Sequence, residues 1–362
     1  MTDPTWGAYA EAGVERAFAL GNRRPVRLDQ DGHLLQDILD AYRRNGFYVF
    51  TGVLDEEEIG ELTAEFDEVL DNVPAESNGD TDRHGRPSPF GGYFTMVEDE
   101  DDPDAPARVS LLSHPFIYME STLRVYAHPK ILAIAESLYG ADFVPFHEGI
   151  FYKAPGNGFP TRWHQDGRTH WTEDGEALEQ PDGSGKCHGY NMSVSWSNCT
   201  AENCLWVVPG SHRRWLLAKD GKFPPITKRL PDAVPMLLEP GDCGIVNRSA
   251  LHGSYPNTSA ERRVTMVLGF HQRHSAIGAT TTNVHAFKQP GTDTRKITYS
   301  EDYVLRRARM IPLAIDARRQ HRPDEKPFEY RGSYIGDASW NEATRAEIRR
   351  DGDEYWQRDI TL

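Results

Sequence analysis

The chain has 362 residues, long for one domain but within reach of a single large β-barrel unit with helical additions. Its 40 basic and 55 acidic residues give a net charge of -15, which argues against nucleic acid or an anionic membrane surface as a partner. No apolar run is long enough to span a bilayer, and Met1-Thr2-Asp3-Pro4-Thr5-Trp6 has neither the basic start nor the apolar stretch of a signal peptide, so a cytoplasmic protein is expected.

Residues 1–26 show little periodicity and read as an irregular N-terminal arm, bounded at residue 30. From Asp31 the pattern turns helical, with Leu35, Ile38 and Tyr42 on one stripe and Gly46 as a stop. Phe47-Tyr48-Val49-Phe50 is a short buried strand. A second helix opens at Asp55, with Glu58 three residues on as in a capping box and Ile59, Leu62, Phe66 and Leu70 as its stripe. Residues 76–107 are polar and acidic and read as a solvated loop. A third helix starts at His128-Pro129 and closes at Gly140, burying Ile131, Leu132, Ile134, Ala135 and Leu138.

Beyond Gly140 short apolar runs alternate with turns: 143–146, 150–152, 192–196, 205–208, 234–238, 244–246 and 264–270. Strands at such spacing predict a mainly β fold with flanking helices, a double-stranded β-helix or jelly roll. Pro209-Gly210-Ser211-His212 and Pro240-Gly241-Asp242 are turns between them. From about residue 272 the chain is polar, with one late helical stretch near Trp340–Arg350. The expected organisation is an arm over 1–30, a jelly-roll domain with N-terminal bracing helices over 31–272, and an irregular extension over 273–362 packed on that domain. Cys187, Cys199, Cys204 and Cys243 show no CxxC spacing and read as reduced buried thiols, with a structural zinc site as the alternative.

One stretch carries chemistry: Trp163-His164-Gln165-Asp166-Gly167-Arg168-Thr169-His170-Trp171. In a strand His164 and Asp166 share a face and can grip one ion. Composition alone yields roughly one such HxD by accident, so the pair is weak evidence by itself. An imidazole with a carboxylate suits a divalent metal such as iron, and a further histidine would complete a triad with open positions. His252, in Asn247-Arg248-Ser249-Ala250-Leu251-His252-Gly253-Ser254, falls at a strand end after a turn, where Gly253 lets the backbone pass close to a ligand. Eleven residues beyond it, at the start of the next apolar run, Arg263 offers a planar fork for a carboxylate.

With these parts in order the chain resembles the phytanoyl-CoA dioxygenase family of iron(II)- and 2-oxoglutarate-dependent oxygenases. The resemblance covers roughly residues 32–272. It rests on Trp163-His164-Gln165-Asp166, on Cys204-Leu205-Trp206-Val207-Val208-Pro209-Gly210-Ser211-His212, and on His252-Gly253-Ser254 through Asn257 to Arg263. Gly46-Phe47-Tyr48-Val49 and Lys153-Ala154-Pro155-Gly156 add to it. It implies that His164, Asp166 and His252 hold Fe(II), that Arg263 binds the far carboxylate of 2-oxoglutarate, and that Ser254 assists. Spacing prefers Arg263 over Arg262. Glu202-Asn203 stands where the family often has Asn-Gly, so that turn is expected to differ.

The implied reaction consumes O2 and 2-oxoglutarate, releases succinate and CO2, and removes hydrogen from an unactivated C–H bond of a small organic metabolite. Halogenating relatives replace the carboxylate of the metal triad with a small residue, so Asp166 points to hydroxylation, desaturation or ring formation. A metal- and ligand-binding jelly roll without catalysis, and a metal-dependent hydrolase or isomerase, are the alternatives. Neither requires Arg263 or Ser254. Lys153, Arg168 and His170 are candidate substrate contacts, weighed against surface or supporting roles. Trp163 and Trp171 are candidate pocket walls, weighed against core packing; His147, His188, His212, His271 and His274 read as structural. Residues 172–189 are a candidate lid and 76–107 a second.

Overall fold

The computed structural model describes residues 4–76, 79–88, 94–97, 108–145, 148–156, 158–166, 189–214, 223–281 and 297–349. They fall into two compact units, Met1–Asp55 with Lys153–Thr265, and Glu56–Tyr152 with Met266–Thr361. The C-terminal stretch shares a unit with the segment after Asp55.

In chain order the first passage holds α1 (Pro4–Ala19), β1 (Arg23–Pro25), α2 (Gln36–Asn45) and β2 (Phe47–Thr51). Then come α3 (Glu56–Asp71), β3 (Phe94–Val97), β4 (Arg108–Ser113), α4 (Glu120–Tyr126), α5 (Pro129–Tyr139), β5 (Phe143–Pro145) and β6 (Gly149–Lys153). The strands β7 (Thr161–His164), β8 (Tyr190–Ser195), β9 (Trp206–Val207), β10 (Val234–Pro235), β11 (Cys243–Asn247), β12 (His252–Ser254) and β13 (Arg263–Leu268) follow. The chain closes with β14 (Phe270–Gln272), α6 (Arg273–Ala276), β15 (Thr280–Thr281), β16 (Ile297–Thr298), α7 (Glu301–Ala308), α8 (Met310–His321) and α9 (Glu342–Ile348).

The predicted irregular arm is the helix α1. Its docking stripe runs Trp6, Tyr9, Gly13 and Arg16, so an apolar count does not see it. Tyr9 stacks on Trp206 with ring centroids 4.9 Å apart, and Arg16 Nη2 donates to Ala233 O at 2.9 Å. A Cβ on Gly13 would lie 2.5 Å from Trp206, so only glycine lets the helix sit this close. The helix α2 starts later than expected, at Gln36, and stops at Gly46, whose φ of 76° carries its N–H back to Tyr42 O.

In the first unit β2 pairs parallel with β1 and antiparallel with β11, which pairs antiparallel with β8, and β13 lies beyond β8. A second sheet runs β10-β9-β12-β7. Phe47, Val49 and Val246 from the first sheet and Trp163, Trp206, Val207 and Val234 from the second share one core cluster. This is the two-sheet packing of a double-stranded β-helix. Burying each of these large side chains contributes about 1.5–3 kcal/mol relative to exposure. Trp163 belongs to this core, its indole N–H on Lys228 O at 3.1 Å, as the packing alternative has it.

The second unit holds an antiparallel β6-β4-β3 sheet and the β5–β14 pair. Phe143 meets Phe270 edge-on at 5.2 Å in its core. Part of the expected 76–107 loop is regular: β3 pairs with β4, and the Asp82 carboxylate accepts the N–H groups of His84 and Arg86 at 2.8 and 2.9 Å. The C-terminal stretch is more helical than predicted, because the buried faces of α7 and α8 include arginines that look like surface. Arg307 meets Glu148 at 2.5 Å and Arg318 meets Glu58 at 2.6 Å, both pairs buried.

Candidate metal centre

The antiparallel pairing of β12 with β7 sets His252 directly opposite His164, with ring centroids 4.1 Å apart. The approach depends on Gly253, where a Cβ would lie 3.1 Å from Thr161 O and 3.2 Å from Trp163 Cα. The ring planes are tilted by 49°, but both rings make the same hydrogen bond. His164 Nδ1 lies 2.7 Å from Arg162 O and His252 Nδ1 lies 2.8 Å from Ala250 O, each a carbonyl two residues back. A carbonyl only accepts, so each Nδ1 donates and each Nε2 keeps its lone pair.

Asp166 follows the end of β7, and its backbone N–H is fixed on Arg248 O at 2.7 Å. The middle residue of the motif is its clamp. Gln165 Nε2 donates to Ser249 O at 2.6 Å and Arg214 O at 2.9 Å, tying the loop to two other segments. The Asp166 carboxylate stands 3.7 Å from His164 Nε2 and 3.8 Å from His252 Nε2. Asn191 Nδ2 donates to its Oδ2 at 3.1 Å, and Arg248 Nε lies 4.0 Å away. Burial pushes this carboxyl up, but His164, Arg248, His252 and the Asn191 amide outweigh it and hold Asp166 well below the usual carboxylate range. Burial first, and His164 second, push His252 down to about 4, so it is a neutral imidazole near neutral pH.

One ligand atom from each of His164, Asp166 and His252 lies within 4.8 Å of the others. Ligands at right angles around an ion at about 2.1 Å would be about 3 Å apart. Small side-chain rotations would bring the observed separations to that value, and two imidazoles with one ionised carboxylate are the donor set a divalent metal takes. The residues present fit the ion.

Arg263 opens β13 on its inward face and is buried, whereas Arg262 is partly exposed. Its guanidinium donates to Asn203 O at 3.0 Å and Thr265 Oγ1 at 3.2 Å. Its Nε is buried without a hydrogen-bond partner, and no carboxylate among the described residues pairs with it. Asn203, in the turn expected to differ, is thus a support for Arg263. Lys153 is also buried, donating from Nζ to Tyr255 O. Burial first, and the neighbouring Arg263 second, hold its amine well below the usual lysine range. Ser254 lies two residues beyond His252 and is buried. Cys199 and Cys204 are buried free thiols beside this pair of cations, and burial pushes both up; Cys243 is free and buried too.

Arg168, His170, Trp171, residues 172–188, Cys187, His147 and His188 lie outside the described residues. His212 is structural, its Nε2 on Arg43 O at 3.1 Å, at the end of α2. Sequence reasoning gave no role to Gln165, Asn191 or Arg248. Arg248 stood inside the quoted motif; for Asn191 no local signal exists.

The model of the family "Phytanoyl-CoA dioxygenase (PhyH)" matches residues 42–265. The chain is 30% identical over 142 residues to Dioxygenase lolE1 of Epichloe uncinata, covering 39% of this chain and 50% of that protein. It is 30% identical over 173 residues to Dioxygenase andF of Emericella variicolor, covering 47% and 54%. The chain therefore spans about half the length of the curated relatives it matches. Its structure is similar to that of EctD from S. alaskensis with 2-oxoglutarate and 5-hydroxyectoine. The TM-score is 0.52 at 18% identity, covering 69% of this chain and 82% of that one, a likeness of fold. Among the described residues no helix is long and apolar enough to cross a membrane.

Proposed function

This chain belongs to the phytanoyl-CoA dioxygenase family, and from that membership and the site we propose that it is an Fe(II)/2-oxoglutarate-dependent oxygenase that hydroxylates or otherwise oxidises a small organic metabolite. The observation that carries the reading is the convergence of two Nε2 lone pairs, each fixed by its ring's Nδ1 hydrogen bond, on the Asp166 carboxylate. Iron and 2-oxoglutarate would supply the oxidising power for C–H cleavage, with succinate and CO2 released.

The chain's own residues do the holding. His164, Asp166 and His252 are the metal ligands. Arg263 takes the far carboxylate of 2-oxoglutarate: its Nε is an orphaned donor inside the barrel, and a buried guanidinium without a carboxylate is stabilised by gaining one. Ser254, buried two residues beyond His252 on β12, assists. We place Lys153 with Arg263 in this anion pocket rather than against the primary substrate, because its side-chain nitrogen is buried beside that guanidinium. Arg168 and His170 stay as substrate-contact proposals on sequence position alone. The buried arginine also weighs against a hydrolase or isomerase, which has no use for an interior carboxylate site.

The test is succinate formation by anaerobically reconstituted Fe(II) protein given 2-oxoglutarate and O2, beside His164→Ala and Arg263→Ala. Slow turnover in the wild type that both variants lose is the expected result. Iron and 2-oxoglutarate binding titrated in the same samples cover a wild type that waits for substrate; if neither binds, the oxygenase reading is wrong.

A further inference from the structure

The two oxygens of Asp166 have different surroundings. Oδ1 faces His164 Nε2 at 3.7 Å. Oδ2 accepts from Asn191 Nδ2 at 3.1 Å, has Arg248 Nε at 4.0 Å and lies 3.8 Å from His252 Nε2. Asn191 is committed to this orientation: its own Oδ1 is buried without a hydrogen-bond partner among the described residues, so the amide faces the carboxylate with its NH2 and leaves an acceptor unsatisfied. The Arg248 side chain is only 4% exposed, and its backbone is held at both ends, its N–H on Gly189 O and its carbonyl on Asp166 N–H.

These two donors come from different parts of the chain, Asn191 from β8 opposite Val246 and Arg248 from the turn after β11. Asn191 donates a hydrogen bond to this oxygen, and the Arg248 guanidinium stands 4.0 Å from it as a nearby positive charge. An oxygen that already accepts from an amide and faces a guanidinium is a poorer second ligand for an ion. Coordination arithmetic gives that bias a consequence. A six-coordinate ion with three protein ligands has three places left, and a chelating 2-oxo acid takes two of them. A carboxylate bound through both oxygens would take the last.

We propose that Asn191 and Arg248 are positioning residues that restrict Asp166 to ligation through Oδ1, and so keep one coordination place open for O2 after the cosubstrate has bound. This rests on the oxygenase reading above. It predicts an effect of the two residues that shows itself only when 2-oxoglutarate is present, because without it the ion has places to spare.

Nitric oxide, an O2 surrogate that binds Fe(II) without turnover, reads this by electron paramagnetic resonance. Anaerobic Fe(II) protein would be titrated with nitric oxide, with and without saturating 2-oxoglutarate, as wild type, Asn191→Leu, Arg248→Met and the double variant. The milder Asn191→Ser and Arg248→Gln stand in should the larger changes fail to fold. Without 2-oxoglutarate all should bind nitric oxide as the wild type does. With it, the double variant should lose at least tenfold in nitric oxide affinity, each single variant less, and Arg248→Lys should retain most of the wild-type affinity. Equal affinity in wild type and double variant with 2-oxoglutarate overturns the proposal, as does an equal loss with and without it, which marks a merely structural role. Wild-type protein that takes up iron but not 2-oxoglutarate removes the oxygenase reading and the proposal with it. Uptake of both with the 2-oxoglutarate-dependent loss absent removes the proposal alone.

Discussion

Buried arginines occur in both units and are treated differently. In the second unit Arg307 lies against Glu148, neither side chain exposed, with His114 Nδ1 3.4 Å from the same carboxylate. Arg318 there meets Glu58 at 2.6 Å and Glu325 at 2.5 Å. In the first unit Arg263 meets a carbonyl and a hydroxyl, and its neighbour Lys153 a carbonyl; no carboxylate among the described residues answers either. A buried cation closed by carboxylates is part of the scaffold. One without a carboxylate among the described residues is what the proposed 2-oxoglutarate site calls for, since an uncompensated interior charge is otherwise a loss.

The largest effect should come from breaking a closed pair. Glu148→Gln leaves Arg307 buried without its carboxylate and should lower the unfolding free energy by about 3–5 kcal/mol, read by urea denaturation. A change under about 1 kcal/mol would show the pair to be dispensable and the contrast between the units to be empty.

Next in size, Arg263→Met should leave the stability of the ligand-free protein unchanged or raise it, while weakening 2-oxoglutarate by roughly 100-fold. The wild type in the presence of Mn(II) and 2-oxoglutarate at about 100 times its Kd should gain about 2.7 kcal/mol, and the variant almost none, a difference that thermal melts record. Loss of stability in Arg263→Met without ligand would place Arg263 with the scaffold arginines.

The smallest effect concerns Lys153, whose amine burial and Arg263 hold below the usual lysine range. Unfolding returns it to an ordinary pKa of about 10.4, so the unfolded chain binds the extra proton. Stability from this group is therefore present above that pH and is lost as pH falls through the alkaline range toward the folded value. Lys153→Met should remove this slope below about pH 10 and be more stable than the wild type at neutral pH by on the order of 1 kcal/mol. Melting temperatures across that range decide it; a destabilised variant would mean that Lys153 is a structural lysine.

Local pattern carried part of the site. His164 and Asp166 stand two apart on a strand, Gly253 marks a close backbone approach, and the spacing from His252 separates Arg263 from Arg262. Most of the strands and four of the helices, α2, α3, α5 and α9, were equally legible, because a period of two or of 3.6 residues is written in neighbouring positions. The helix α1 was not, since its stripe uses glycine and arginine where a core stripe has apolar residues; α7 and α8 were hidden by Arg307 and Arg318, which are polar until a distant glutamate is counted. Asn191 and Gln165 left no trace of their own, for an amide means nothing until its partner is known.

The sequence by itself determined which groups were available: two imidazoles, one carboxylate, one guanidinium, and the turns that end the strands bearing them. The tertiary structure decided which of them meet. His164 and His252 are 88 positions apart and touch through the β7–β12 register, and Asn191 reaches Asp166 from another sheet, from β8. Register is a long-range property, in which a shift of one residue turns every side chain of a strand to the opposite face. The identity of a metal ligand can therefore be read from one stretch of chain, and the orientation of its lone pairs only from the neighbours that folding brings to it.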